Sequence, residues 1–354
     1  MIGFILGGLY NGGQERQLCN LSRSLMNDGH KVKVVVYNKK DYSEIAHKRM
    51  TEGGVECIFL SGSKLVRLLQ LRSQLREMDV VHCFAFYMNF FTWLATCFTR
   101  VLAIGGLRGD IEQYRSSMGL MKCWLNVAPL RGGIISNSSV QGRRLEEEYG
   151  LLCPTIKVVR NGYLGVIEER QILVATDRVI KIITVGRLVD YKRYDLALQA
   201  VLGMTVDFEL KIFGDGPERK TIEALITNLG LEGRVSLEGE VEDIEERIRE
   251  SHIMLHLSES EGTSNVIMES IANGCPVVCA DVGDNSFLVQ DGVTGFIVTP
   301  GCVERASAQL TRLSMDSELL LRMSKSATEY AQNNFGMKTY RDNALKAYKD
   351  LGLN

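Results

Sequence analysis

Short apolar runs alternate with amphipathic segments along almost the whole chain. IGFIL (2–6) leads through a glycine-rich turn into QERQLCNLSRSLMNDGH, where Leu18, Leu21 and Leu25 recur at helical spacing and Gly29 suits a helix C-terminus. KVKVVVY (31–37), VECIFL (55–60), DVVHCF (79–84), VLAIGG (101–106) and GGIISNS (132–138) read as further strands with helices between them. After IKVVRNGYL (156–164) the pattern begins again with IKIITVG (180–186), DFELKIFG (207–214) and RVSLEG (234–239). HIMLHL (252–257), CPVVCA (275–280) and GFIVT (295–299) complete it. Such alternation predicts α/β architecture with mostly parallel sheets, here two doubly wound domains. The first covers 1–165 and the second 166–330, with the charged VIEERQ (166–171) as linker. The tail SKSATEYAQNNFGMKTYRDNALKAYKDLG reads as helical, and its last part, 331–354, is expected to cross back to the first domain.

Ligands of open α/β sheets collect at the carboxyl ends of the strands, so the strand-to-helix loops are where chemistry is sought. The first such loop, GGLYNGGQER, carries Gly7, Gly8, Gly12 and Gly13 ahead of a helix whose first N–H groups could meet an anion. It is neither GxGxxG nor GxxxxGK[ST], so it is no dinucleotide fingerprint or ATP P-loop, and a tight structural turn accounts for it equally well. The second loop, VGRLVDYKRYD (185–195), places Arg187 and Lys192 beyond a strand end. A fork of guanidinium donors and an ammonium point charge there suit a diphosphate; solvated surface charge is the alternative. FGDGPER (213–219), with Gly214, is a third strand-end turn.

The fourth is SESEGTSNVIMESIANGCPVVCA (258–280), in which Glu261 and Glu269 stand eight positions apart. Ser264 reads as the N-cap of a helix that Gly274 ends. On that helix Asn265, Glu269 and Asn273 form one narrow polar stripe, while Val266, Ile267, Met268, Ile271 and Ala272 fill the rest of a mostly buried circumference. Glu261 lies in the loop, off that stripe. The two carboxylates would therefore reach different parts of one extended ligand, hydroxyl-bearing at both ends and anionic in the middle, as a nucleoside diphosphate sugar is.

The bulk numbers remove other classes. A hydrophobic share of 45% and a charged share of 24% over 354 residues describe a soluble globular chain with two cores. Nine cysteines without a CxxC pair argue against a disulfide framework or a zinc site and for reduced thiols in the cytoplasm. MIGFILGGLYNGG lacks a basic n-region and a cleavage site, so no secretory signal is read there. CFAFYMNFFTWLATCFT (83–99) is at the short limit for a membrane span and contains four Asn or Thr residues; it is read as one buried helix. Net charge is −2, yet residues 1–165 hold 21 Lys/Arg against 13 Asp/Glu and the remainder 20 against 30. The basic half, with Arg67, Arg72, Arg76, Arg115, Lys122, Arg131, Arg143 and Arg144, could meet an anionic surface or simply be solvated. No basic–aromatic interleaving supports a nucleic-acid partner. His252 and His256 fall in an alternating strand and read as structural rather than as a metal pair.

ESEGTSNVIMESIANGCPVV resembles the Glu–seven residues–Glu signature of the retaining glycosyltransferases of family 4, and NGGQER, IISNSS, VVRNGYL, VGRLVDYKRYD and GDGP follow the same family in order and spacing. The resemblance implies the GT-B fold, two Rossmann-like domains facing a central cleft. It implies a donor site of Gly12, Gly13, Arg187, Lys192, Gly214, Glu261, Gly262, Thr263, Ser264, Asn265, Val266 and Glu269. Glu269 would bind the donor's ribose and Glu261 the transferred sugar, with Glu261, Arg187 and Lys192 as the catalytic set. Two cations and a helix N-terminus would stabilise the leaving diphosphate, so neither a metal nor any other cofactor is expected, in keeping with the missing DxD. Many members carry a histidine near the donor sugar where this chain has AIGGLRGDIE, with Arg108 and Asp110 instead. These two and His82 are the acceptor-side candidates, a core histidine being the other reading of His82.

The implied activity is transfer of a hexose or N-acetylhexosamine from a nucleotide diphosphate sugar, with UDP preferred to GDP, to a glycan acceptor. A lipid-linked acceptor fits the basic half and its aromatic run, and would place the protein in the cytoplasm or peripherally at the inner membrane face, in lipopolysaccharide or capsule assembly. A nucleotide-sugar epimerase of the same fold and a non-catalytic nucleotide-sugar-binding protein are the alternatives.

Overall fold

The computed structural model describes residues 1–127, 130, 132–168 and 179–353; Arg131 and residues 169–171 of the proposed linker lie outside them. The chain divides into two compact units, Met1–Leu164 with Gly336–Asn354, and Gly165–Phe335.

Unit 1 opens with β1 (Ile2–Leu6), α1 (Gly13–Asn27), β2 (Val32–Val36), α2 (Glu44–Glu52) and β3 (Glu56–Phe59). It continues through α3 (Lys64–Leu75), β4 (Val80–Cys83), α4 (Asn89–Thr96), β5 (Leu102–Leu107), α5 (Ile111–Met118) and α6 (Leu120–Leu125). β6 (Ile134–Ser136), α7 (Ser139–Tyr149) and β7 (Ile156–Val158) follow. The seven strands form one sheet in the order β3-β2-β1-β4-β5-β6-β7, and the pairing is parallel throughout. Strands buried on both faces are apolar along their length, which is why β1 reads as a continuous run and β2 as one broken only by the half-buried Lys33.

Unit 2 holds β8 (Ile180–Val185), α8 (Tyr194–Leu202), β9 (Phe208–Phe213), α9 (Arg219–Asn228), β10 (Val235–Gly239) and α10 (Ile244–Glu250). β11 (Ile253–His256), α11 (Asn265–Ala272), β12 (Val277–Ala280), α12 (Asn285–Leu288) and β13 (Gly295–Val298) come next, then α13 (Val303–Met315) and α14 (Ser317–Asn334). Its parallel sheet runs β10-β9-β8-β11-β12-β13. Chain order reverses between β8 and β11, so the loops after these two strands flank the crevice in which such sheets bind ligands. Those loops carry Arg187 with Lys192, and Glu261.

Two predicted elements are corrected. The apolar run 83–99 is not one helix: it comprises the end of β4, a 3-10 turn at Phe86–Met88, and the short α4. Asn89 holds the turn, its side chain donating to the carbonyls of Gly106 and Asn126 at 3.2 Å each and accepting from the Gly106 N–H at 3.0 Å. No helix among the described residues is long and apolar enough to cross a membrane. The helical tail breaks after α14, and α15 (Met337–Asp350) belongs to unit 1. Tyr340, Ala344, Ala347 and Tyr348 of α15 join the core formed by α1 and β1, β2 and β4.

Candidate active site

The site in unit 2 is built on Glu261. Lys192 ends a 3-10 turn after β8, and its Nζ lies 2.6 Å from Glu261 Oε1. His256, the last residue of β11, places Nε2 2.7 Å from the same oxygen, and the Ser258 hydroxyl is 3.0 Å from Nε2. The two loops are also tied by a backbone bond from Glu259 N–H to the Tyr191 carbonyl, 2.8 Å long. Burial by itself would push the Glu261 carboxyl up; the Lys192 charge and the His256 hydrogen bond outweigh it and hold the group well below the ordinary carboxylate range. Burial pushes His256 the other way, below the usual histidine value, against the pull of Glu261. The neutral ring then carries its proton on Nε2 and donates it to Glu261, sharing it with Ser258. The result is an ionised, oriented carboxylate beside an ammonium group.

The remaining donor-side candidates are placed as follows. Arg187 is exposed on the same loop as Lys192 and makes no ion pair or side-chain hydrogen bond among the described residues. Ser264 stands at the N-cap of α11 but makes no capping bond; its hydroxyl sits 3.5 Å from His256 Nε2 instead. Gly262, Thr263, Asn265 and Val266 complete the turn into α11, and Glu269 is buried on that helix. Gly214 is required for packing: its φ is +129°, and a Cβ there would lie 2.0 Å from the Gly186 carbonyl oxygen.

Gly12 and Gly13 lie in unit 1, at the start of α1. The Glu15 side chain, buried in the first turn of that helix, lies against Gly12, where a Cβ would come within 2.7 Å of its Oε2. Burial drives the Glu15 carboxyl above its ordinary range. His82 is a core residue with no exposure, its Nδ1 3.0 Å from the Tyr348 hydroxyl, and it is out of reach of an acceptor. Asp110 caps α5, accepting from the Glu112 and Gln113 N–H groups and from the Gln141 amide. His82 thus takes the core reading, and Asp110 serves as the cap of α5. Arg108 keeps partial exposure. Its guanidinium lies 3.6 Å from the Phe84 ring centroid and donates to Asn161 Oδ1 at 3.1 Å and the Tyr340 hydroxyl at 3.2 Å.

Local pattern does not mark His256 as a partner of Glu261. The available signal for His256 was its place at the last position of a strand beside the switch point, one loop ahead of Glu261. His252 is structural as read, accepting the Lys181 N–H at 2.9 Å.

A solved structure of Anabaena Alr3699/HepE in complex with UDP-glucose superposes with a TM-score of 0.85 over 99% of both chains at 19% identity. Two parallel Rossmann-like units of this topology define the GT-B fold class. Residues 166–330 match the family described as Glycosyl transferases group 1, and residues 11–163 match Glycosyltransferase Family 4. The chain belongs to the family-4 glycosyltransferases. It is 32% identical over 173 residues to the N-acetyl-alpha-D-glucosaminyl L-malate synthase of Bacillus anthracis, an alignment covering 48% of this chain and 43% of the relative. It is 36% identical over 100 residues to the N-acetylgalactosamine-N,N'-diacetylbacillosaminyl-diphospho-undecaprenol 4-alpha-N-acetylgalactosaminyltransferase of Campylobacter jejuni, covering 28% of this chain and 27% of the relative. The chain thus spans less than half the length of these curated relatives.

Proposed function

We propose that this protein is a retaining glycosyltransferase that moves a hexose or N-acetylhexosamine from a UDP-sugar to a lipid-linked glycan acceptor at the inner face of the membrane, without a metal. The observation that carries the reading is the Lys192–Glu261–His256 cluster at the switch point of unit 2. The UDP-glucose bound by the HepE structure supports the donor class, and the diphospho-undecaprenol in the name of the Campylobacter relative supports a lipid-linked acceptor.

The chemistry follows from the charges. As the bond between the sugar's anomeric carbon and the diphosphate breaks, negative charge develops on the departing phosphate oxygen and positive charge on the ring. Lys192 and Arg187 stabilise the first; pre-positioned cations need no reorganisation as the charge appears. Glu261 stabilises the second and binds the sugar's hydroxyls. The acceptor oxygen forms its bond on the face the diphosphate leaves, and its proton passes to the leaving phosphate oxygen, so the anomeric configuration is kept. Glu269 binds the ribose from α11.

The test is UDP release from UDP-sugars with and without a glycolipid acceptor, in the presence of EDTA. Acceptor-dependent release that survives EDTA, and falls by about a hundredfold or more in Glu261→Ala and Lys192→Ala, is the expected result. Full activity in either variant, or a product with inverted anomeric configuration by NMR, would overturn the reading.

A further inference from the structure

At the carboxyl ends of β2 and β3 unit 1 has a pocket of about 480 Å³, lined by Lys39, Lys40, Arg67, Asn38, Ser61 and Gly62 among others and by no residue named above as donor-side. Three cations face it. Lys39 and Lys40 are exposed and pair with no carboxylate among the described residues. Arg67 is fixed in place: its guanidinium stacks 4.5 Å from the Tyr37 ring centroid and donates to the Tyr37 carbonyl at 3.3 Å. Its Nε is buried and has no hydrogen-bond partner among the described residues. The nearby carboxylate of Asp41 is engaged by the Asn38 amide at 2.6 Å. The pocket also borders the start of α3, whose first turn contains no acidic residue to offset its positive end.

The rim of the pocket runs directly into apolar surface. Gly62 approaches Val66 so closely that a Cβ would lie 3.1 Å from its Cγ1. Val66, Leu65 and Leu69 then form an outward stripe on α3, exposed by 44%, 67% and 60%. Arg72 of the same helix is turned inward, closing the end of α4 by bonds to the carbonyls of Ala95 and Cys97. The outward face of α3 therefore carries hydrocarbon beside a cationic hollow, a combination that suits neither a sugar nor a soluble anion alone.

We propose that this pocket binds the phosphate or diphosphate of a lipid-linked molecule, with the lipid chain lying along Leu65, Val66 and Leu69. The assignment rests on the lipid-linked acceptor of the proposed function and gives that acceptor a place on unit 1. Lys39 and Lys40 supply charge in water, Arg67 a directed donor, and the leucines desolvated contact with the chain.

The test is co-sedimentation of the full chain with phosphatidylcholine vesicles carrying a polyprenyl diphosphate. Vesicles of phosphatidylcholine alone, vesicles with phosphatidylglycerol at matched charge, and competition by inorganic diphosphate are run in parallel. Binding to the polyprenyl diphosphate vesicles, weakened about tenfold or more by Lys39→Glu/Lys40→Glu and by Leu65→Ser/Leu69→Ser, is the expected result. The leucine variant should keep its affinity for inorganic diphosphate and the lysine variant should lose it. Equal binding to phosphatidylglycerol vesicles, binding of free diphosphate only, or wild-type binding by both variants would each overturn the proposal. The assay needs no turnover, and stabilisation by UDP, which reports on unit 2, should be unchanged in all variants. Loss of transfer activity with the vesicle binding intact would count against the proposed function and leave the pocket standing.

Discussion

His256 tests the unit 2 cluster at the level of one hydrogen bond. Its side chain is buried and donates to a carboxylate oxygen that Lys192 also holds, so it orients Glu261 without reaching a ligand. Removing the donor takes away one of the groups that hold the Glu261 carboxylate. His256→Ala should lower transfer by about tenfold to a hundredfold, mainly in kcat, and His256→Gln, whose amide nitrogen can take the place of Nε2, should recover part of it. Steady-state kinetics of the pair separates this from a loss of folded protein, because a merely structural histidine would not be rescued by glutamine. His82 carries a different consequence. Burial, reinforced by the Arg108 charge, holds its pKa well below the ordinary value. The unfolded chain therefore takes up a proton near the usual histidine pKa of about 6.5 that the folded chain refuses. Its contribution to stability is complete above that pH and is lost progressively below it. Urea unfolding of unit 1 should show lower stability at about pH 5.5 than at about pH 7.5, and His82→Asn should start less stable but show a shallower dependence.

The loop that carries Glu261 is supported by a neighbouring element. Gly283, in the turn between β12 and α12, has φ +54°, and a Cβ there would lie 2.4 Å from the Glu261 carbonyl oxygen and 2.5 Å from that of Gly262. Asp284 N–H bonds the Gly262 carbonyl at 2.9 Å. Gly283→Ala should therefore displace the Glu261 loop and reduce kcat/KM for the nucleotide sugar by about tenfold or more, although the residue has no side chain to offer a ligand. Wild-type kinetics in that variant would show that the loop tolerates the shift. The same scale explains what the chain's pattern conveys. Strands such as β1, β2 and β8 are legible because burial makes them predominantly apolar, with Lys33 of β2 and Lys181 of β8 at half-buried positions. The 83–99 run is apolar for another reason: β4 and the inner residues Phe84, Phe86, Met88 and Ala95 are buried while Tyr87 and Phe98 are exposed, and the break depends on Asn89 meeting Gly106 and Asn126 through space. His256 is hidden by the same logic, since alternation records which face a residue occupies but not that Glu261 folds back onto it. The cationic pocket of unit 1 is assembled from Lys39, Lys40 and Arg67, which local pattern does not group.

At the scale of the molecule, chain order and unit membership part company at the C-terminus. α15 is separated from the rest of unit 1 by all of unit 2, yet Tyr348 has no exposure, Tyr340 almost none, and both sit in the core of β1, β2 and α1. Tyr348 is held by His82 and Tyr340 accepts from Arg108, so the same helix fixes the one acceptor-side candidate that remains partly exposed. Replacing a buried aromatic by alanine typically costs about 3–5 kcal/mol, and a whole domain is stable by only about 5–15 kcal/mol. Deleting residues 337–354 removes two such tyrosines together with Ala344 and Ala347, which is enough to unfold unit 1. A chain ending at Gly336 should therefore lose the protease resistance of unit 1, and Tyr348→Ala alone should destabilise it by about 3–5 kcal/mol in urea. Tyr348→Phe keeps the ring and gives up only the bond to His82, so it should cost about 1 kcal/mol. If the truncated chain resisted proteolysis as the full chain does, α15 would be an appendage to unit 1 rather than part of its core, and the orientation of Arg108 would have to come from Asn161 and Phe84 alone.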